Sequence, residues 1–295
     1  MDALSALLEG LIDYAGLYPP ASLPMEEAVR NFAAYRSGAR AAWLGRFVLP
    51  AAHLDAFLAA RLATPGAPGP WRLSVLLGDA PEADLERVIA FNRAAHASTS
   101  PSALVEAIEM KAGAPEDIER LEALTPAGVV AYFEIPIREP GPFLAALAKG
   151  NGRAKLRTGG VIPEAIPVAA DIARFLSACA AARAPFKATA GLHHPFRSLR
   201  PLTYAEDAPQ AMMHGFVNVF LAAAFAYQGM DVVTLTALLN EESPRAFAFG
   251  KTQAEWHGHS LNAERLRATR RDFALAFGSC SFDEPRQDLE AAGWL

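Results

Sequence analysis

Apolar residues recur along this chain in two alternating rhythms. Short continuous runs such as RFVL, VVAYFEI and FALAF read as buried strands. Between them lie stretches with the spacing of an amphipathic helix, as with Ala28, Val29, Phe32 and Tyr35. The pattern predicts strands over 11–15, 42–49, 71–77, 104–111, 129–135, 154–157 and 186–190. It predicts helices over 2–9, 26–36, 53–62, 81–95, 115–124, 141–148 and 168–182, with Asp79 as an N-cap. The period of 104–111 also suits a helix, and ATPGAPGP over 63–70 reads as a loop by composition.

Beyond 195 the pattern changes. A helix over 214–227 is apolar on nearly every face, and an extra helix covers 232–240. A polar, irregular segment covers 241–262, followed by a short basic helix over 264–271. An eighth strand over 273–277 runs into Gly278-Ser279-Cys280-Ser281, and a closing helix covers 288–292; 246–249 is an alternative eighth strand without such a run. Strand and helix alternate about every thirty residues, the signature of a parallel sheet with crossover helices. Seven strands before 195, and room for an eighth, predict an α/β fold of the (β/α)8 TIM-barrel type. The whole chain, 1–295, is expected to form one domain with an elaborated, insert-like connection over 203–262.

Composition narrows the class. Hydrophobic residues make up 52% of the positions, enough for a sizeable core. The net charge of -5 comes with no basic block, so nucleic acid is not an expected partner. Cys179 and Cys280 lack a CxxC spacing, which argues against a disulfide framework or structural zinc and fits a reducing cytoplasm. The start of the chain lacks the pattern of a signal peptide, and the apolar stretch over 215–227 is too short to span a bilayer. The expected partner is a small molecule, with neither nucleic acid nor membrane involved; a homo-oligomer is left open.

The polar exceptions inside the apolar runs carry the chemistry. RAKLRTGG over 153–160 and PFKATAGLHH over 185–194 each place one lysine within a strand. A charge there is costly to bury. One helix separates Lys155 from Lys187, so on consecutive strands of a parallel barrel their ammonium groups are neighbours. At roughly 6 Å, a second ammonium adds about 2.8 kcal/mol of repulsion at an effective dielectric of ~20. That frees on the order of a few per cent of the amine at neutral pH. Such an amine attacks a carbonyl and forms a Schiff base. The opposing reading pairs both lysines with Glu109 and Glu134 as structural ion pairs.

Active groups of such barrels gather at the C-terminal ends of the strands. Those ends hold Asp13, Glu109, Glu134, Lys155, Arg157, Lys187, His193, His194 and Ser279. Glycine and hydroxyl turns follow strands six, seven and eight, at Thr158-Gly159-Gly160, Gly191-Leu192 and Gly278-Ser279. Their amides predict an anion site near Gly159, Gly160, Gly191, His193 and Ser279. Adjacent residues on a strand face opposite ways, and no HxH or HxxxH spacing joins His193, His194 and His214, so no metal is expected. His257-Gly258-His259 does have HxH spacing, but in a polar segment that reads as a solvated loop.

In order and position these motifs resemble those of deoxyribose-phosphate aldolase and related class I aldolases. LIDYAGL resembles the family's Ile-Asp-His-Thr opening, and AIEMK its Ile-Asp-Met run. AKLRTGG resembles its Lys-Thr-Ser-Thr-Gly motif, FKATAGL its Lys-Ala-Ser-Gly-Gly motif, and FGSCS its Gly-(Ala or Thr)-Ser-Ser end. The likeness covers strand ends over most of the chain, not continuous identity. It implies Lys155 as the Schiff-base lysine and Lys187 as the neighbour that tunes it, with no cofactor. It implies Glu109 as the strand-four carboxylate, and Gly191, Gly278 and Ser279 at the phosphate end. The chain departs from the family pattern where Glu109 is longer than the family's Asp and Arg157 replaces a small residue. Val130 stands at the strand-five lysine, and His193-His194-Pro195 replaces a turn. Arg157 can meet a substrate carboxylate bidentately, which favours a keto acid over a simple sugar phosphate. The expectation is a class I aldolase-like lyase acting on a small anionic carbonyl compound. The alternatives are a metal-independent hydrolase or isomerase using Glu109, Glu134 and His193, or a non-catalytic anion-binding barrel.

Overall fold

The structure, a computed structural model, describes residues 2–64, 69–99 and 102–295. Eight parallel strands close into a barrel: β1 (Ile12–Tyr14), β2 (Leu44–Pro50), β3 (Trp71–Leu76), β4 (Ala103–Lys111), β5 (Val130–Glu134), β6 (Arg153–Arg157), β7 (Phe186–Thr189) and β8 (Ala274–Ser279). Each strand pairs with the next, and β1 returns to β8 with Ile12 opposite Phe277 and Asp13 opposite Gly278. Helices alternate with the strands, which makes this a (β/α)8 barrel. The ambiguous run on β4 is a strand, with Val105, Ala107, Ile108 and Met110 buried.

Aromatic side chains fill one side of the core. Phe32, Phe47, Phe57 and Trp71 meet with ring centroids 4.8–6.3 Å apart. The helix Phe216–Tyr227 is buried along all but its last residue. Its Phe216 stacks on Phe277 of β8 at 5.3 Å, and its Phe220 on Phe186 of β7 at 6.2 Å. By length and composition Pro163–Ala182 would cross a membrane. In this fold Ala169–Ala182 is the crossover between β6 and β7, and it buries Ile172, Ala173, Phe175, Leu176 and Cys179.

The connection from β7 to β8 holds more structure than its composition suggested. Ser198–Pro201 and Gln210–Met213 form an antiparallel hairpin. The segment read as irregular folds into a three-stranded antiparallel sheet of Phe247–Phe249, Gln253–Trp256 and His259–Asn262. These strands are too short for their alternation to stand out. Its second turn is His257-Gly258, both with positive φ (44° and 81°), as a tight two-residue hairpin turn requires. The HxH spacing there is turn geometry, and 247–249 lies outside the barrel. Two boundaries differ from expectation. The helix Pro81–Ala97 is preceded by Ala80 without a side-chain cap; Asp84, not Asp79, folds back to accept the Gly78 N–H at 2.7 Å. The last helix, Asp283–Ala291, begins ahead of Asp288. The loop over 63–70 lies partly outside the described residues.

Candidate active site

Lys155 and Lys187 occupy partnered positions on β6 and β7. Their ammonium groups converge on one carboxylate. Glu109 Oε1 accepts from Lys187 Nζ at 2.6 Å and from Ser74 Oγ at 2.6 Å, while Oε2 stands 2.9 Å from Lys155 Nζ. Lys187 Nζ also donates to Asp13 Oδ2 at 2.6 Å, and Asp13 Oδ1 accepts the Arg46 backbone N–H at 2.7 Å. On the other side Lys155 Nζ lies 3.5 Å from Glu134 Oε2, and Glu134 receives Arg157 Nε at 2.8 Å and Nη2 at 3.3 Å. Charges therefore alternate along Asp13, Lys187, Glu109, Lys155, Glu134 and Arg157, three of each sign.

The first four of these residues are at most 4% exposed. Charges so desolvated persist only when paired and hydrogen-bonded. Burial pushes Glu109 up, but the Lys187 and Lys155 ammonium groups outweigh it and hold the carboxyl well below the usual range. Burial pulls Lys187 down, but Asp13 and Glu109 outweigh it and hold the ammonium above the usual lysine range. Burial likewise raises Glu134, and Arg157 and Lys155 bring it lower. The lysine–lysine repulsion counted from sequence is thus offset by the carboxylate standing between them. Lys155 is paired with Glu109 and Glu134; Lys187 pairs with Glu109 and with Asp13 instead of Glu134.

One glycine makes room for this network. A Cβ on Gly45 of β2 would sit 2.3 Å from Asp13 Oδ1. Only a residue without a side chain lets β2 approach Asp13 closely enough for the Arg46 N–H to reach it.

A cavity of about 280 Å³ opens at the C-terminal end of the barrel. Glu109, Lys155, Arg157, Gly160, Lys187, Gly191, His193 and Gly278 all line it, as the strand-end reading expected. Asp13 and Glu134 stand behind its wall as partners of the lysines. Thr158, Gly159, His194 and Ser279 do not line it. Thr158 donates its hydroxyl to the carbonyls of Thr189 and Ala190. Gly159 packs backbone to backbone on Gly191, where a Cβ would come within 2.9 Å of the Gly191 Cα. Ser279 is buried, and its hydroxyl accepts the Ser281 N–H. These small residues let the loops after β6 and β7 touch, which gives the glycines a packing reason apart from any anion.

The histidines separate. His193 Nδ1 lies 3.1 Å from Glu284 Oε2 and 3.9 Å from Cys280 Sγ. Burial works against its charge, but Cys280 and Glu284 outweigh that and raise it to about 9. His194 pairs with Asp288 at 2.6 Å on another surface, and burial lowers it. His214 is fully buried, donates its Nε2–H to the Pro167 carbonyl at 2.7 Å, and is lowered to about 4 by burial. Arg157, expected to clamp a substrate carboxylate, already spends its fork on Glu134.

Several lining or supporting residues escaped the sequence reading. Ser74 is a polar position inside the apolar run of β3, the same kind of exception that exposed the lysines. Tyr18 and Cys280 line the cavity from the loops after β1 and β8, and Leu202 and Met213 reach it from the 198–213 hairpin. Comparison with protein-family models, with curated proteins and with solved structures finds no match. The class is therefore set by the molecule itself: a (β/α)8 barrel with a buried ionic network against its C-terminal cavity.

Proposed function

We propose that the protein is a class I aldolase-like lyase that binds a small carbonyl substrate as an imine of Lys155. The observation that carries this reading is the position of Lys155: against the C-terminal cavity, in register with a second lysine, and bonded to the carboxylate the two share. A merely structural ion pair needs no cavity beside it, and enzymes of this fold work at this end of the barrel.

The network divides the labour. Lys187 stays an ammonium, anchored between Asp13 and Glu109, and does not compete as a nucleophile. Lys155 faces the cavity and reacts. One ammonium proton passes to a neighbouring carboxylate, Glu109 or Glu134, before attack and returns to the departing oxygen. Overall the ammonium and a carbonyl give a protonated imine and one water, and the nitrogen carries one positive charge before and after. Glu109 and Glu134 have a cationic partner at both ends of the step, and the buried charge balance is unchanged. The imine then accepts the electron pair of the breaking carbon–carbon bond. Glu109, at 2.9 Å from the nitrogen, is the carboxylate placed to take the hydroxyl proton released in that step. The cavity is small for a ligand site, where ~300–1,000 Å³ is usual, and suits a compact substrate. Lys155, Lys187, Arg157 and His193 line the cavity while their partners Asp13, Glu134 and Glu284 do not, which favours an anionic one.

The test is incubation with pyruvate, glyoxylate or acetaldehyde and borohydride, followed by peptide mass mapping. A reduced adduct on Lys155, abolished by Lys155→Ala, is expected. Adducts confined to exposed lysines such as Lys149 or Lys251 would overturn the reading.

A further inference from the structure

The hydroxyl of Tyr18 is buried and has no hydrogen-bond partner among the described residues. Single buried atoms of other side chains share that condition, including Arg46 Nε, Trp71 Nε1, Ser177 Oγ and His214 Nδ1, but of the set only Tyr18 lines the C-terminal cavity. A buried hydroxyl without a partner costs free energy that a phenylalanine in the same place would not. The fold gains nothing from it that the ring alone would not supply.

The loop that carries Tyr18 is built to hold it. Its N–H donates to the Ala15 carbonyl at 2.9 Å, its carbonyl accepts the Ser22 N–H at 3.0 Å, and Leu23 N–H closes on Gly16 O at 2.9 Å. Burial, and then the charge of Glu109, push the phenol well above its usual range, so it stays a donor across the neutral range. The carboxylate it senses is the one that holds Lys155 Nζ at 2.9 Å. Tyr18, Glu109 and Lys155 all line this one cavity.

We infer that Tyr18 is a catalytic residue of this site, donating a hydrogen bond to the oxygen of the carbonyl that Lys155 attacks; this rests on the imine reading above. As the carbon–nitrogen bond forms, the carbonyl π pair moves onto oxygen, and the Tyr18 donor stabilises the charge that gathers there. Tyr18 keeps its own proton. The lysine nitrogen supplies both hydrogens of the water that leaves, so the step balances with no outside acid.

The experiment measures the rate of glyoxylate trapping by cyanoborohydride in the parent enzyme and in Tyr18→Phe. Loss of one such donor is expected to slow the saturating rate about 100-fold, with the half-saturating glyoxylate concentration unchanged and the adduct still on Lys155. The ratio of the two rates is expected to be constant from about pH 6 to 9, because the phenol does not titrate there. Equal rates in parent and variant overturn the role of Tyr18 and leave the imine reading intact. Absence of a Lys155 adduct in the parent overturns both. Independently of how well the variant folds, a crystal structure of Lys155→Ala with bound pyruvate should place the keto oxygen within about 2.6–3.2 Å of Tyr18 Oη. A keto oxygen turned to another donor would refute the assignment.

Discussion

At its C-terminal rim the barrel holds a cavity of about 280 Å³ whose wall includes Glu109, Lys155 and Lys187. At its N-terminal rim a groove of about 740 Å³ runs under the loops leading into β5, β6 and β7, past Glu122, Arg153 and Arg183. The larger opening has the quieter chemistry. Glu122 spends its carboxylate on the backbone N–H groups of Asn151 and Gly152, Arg153 donates to the Tyr132 hydroxyl at 3.2 Å, and Arg183 is exposed. These groups tie loops together near water, where charges cost little. At the other rim the charges are desolvated, and each depends on its neighbours. Volume therefore does not single out the rim with the unusual electrostatics; buried, mutually dependent charge does.

Removing Lys187 should break this contrast most severely. Among the described residues, Lys187→Leu leaves Asp13 with the Arg46 N–H, and leaves Glu109 with Lys155 and Ser74. A buried pair broken on one side typically costs about 3–5 kcal/mol, and denaturant unfolding should show a loss of that order. Imine formation at Lys155 should slow as well. Combining Lys187→Leu with Asp13→Asn should cost less than the sum of the two single changes, because the second removes a charge that the first stranded. Additive losses would mean that the two residues do not act as a pair.

Gly45→Ala should act on the same network from outside it. The added methyl would fall 2.3 Å from Asp13 Oδ1, so the carboxylate or β2 must shift. Overpacking of this kind costs about 1–3 kcal/mol, and melting together with trapping at Lys155 should both decline. The same substitution in the N-terminal groove, at Gly128, meets nothing within 4 Å, although its φ of 84° strains any side chain there.

The reach of the sequence follows the same division. The barrel was legible because buried strands and amphipathic helices leave different periods, and β6 and β7 fall where those periods put them. Lys155, Lys187 and Glu109 were legible because a charge inside an apolar run has few bland explanations. Glycines were not legible in that way. Gly159 and Gly191 read as an anion cradle, and the fold gives them a packing reason as well, since two loops touch there, while Gly45 attracted no notice and makes room beside Asp13. A glycine's reason lies in a partner distant along the chain. The His257-Gly258 turn, by contrast, carries a local signal for a hairpin, and could have exposed the sheet over 247–262. Tyr18 was invisible because nothing local says that a hydroxyl will be buried without a partner.

A smaller effect is expected from pH at the C-terminal rim. His193 is raised to about 9 from an ordinary 6.5, so the folded state binds its proton more tightly than the unfolded chain does. The resulting stability is fully present below about pH 6.5 and is lost as pH rises through about 9. Melting temperature should fall by a few degrees across that window in the parent, and less in His193→Gln. Equal declines in both would assign the pH dependence to other groups.

The smallest effect, and the one that sharpens the comparison from the quiet side, is expected at Arg183. It ends the helix Ala169–Ala182 in a left-handed conformation, φ 51°, where its N–H closes on the carbonyls of Cys179 and Ala180. A left-handed backbone costs an ordinary L-residue about 1–2 kcal/mol, and glycine adopts it without that penalty. Glycine also loses more freedom on folding, which takes back part of the gain. Arg183→Gly should therefore raise stability by roughly 0.5–1 kcal/mol in denaturant unfolding. It should leave the rate and position of carbonyl trapping at Lys155 unchanged, since Arg183 lines the N-terminal groove and not the C-terminal cavity. A loss of trapping with stability preserved or raised would show that the groove communicates with the lysines. The larger opening would then have to be counted as part of the working site.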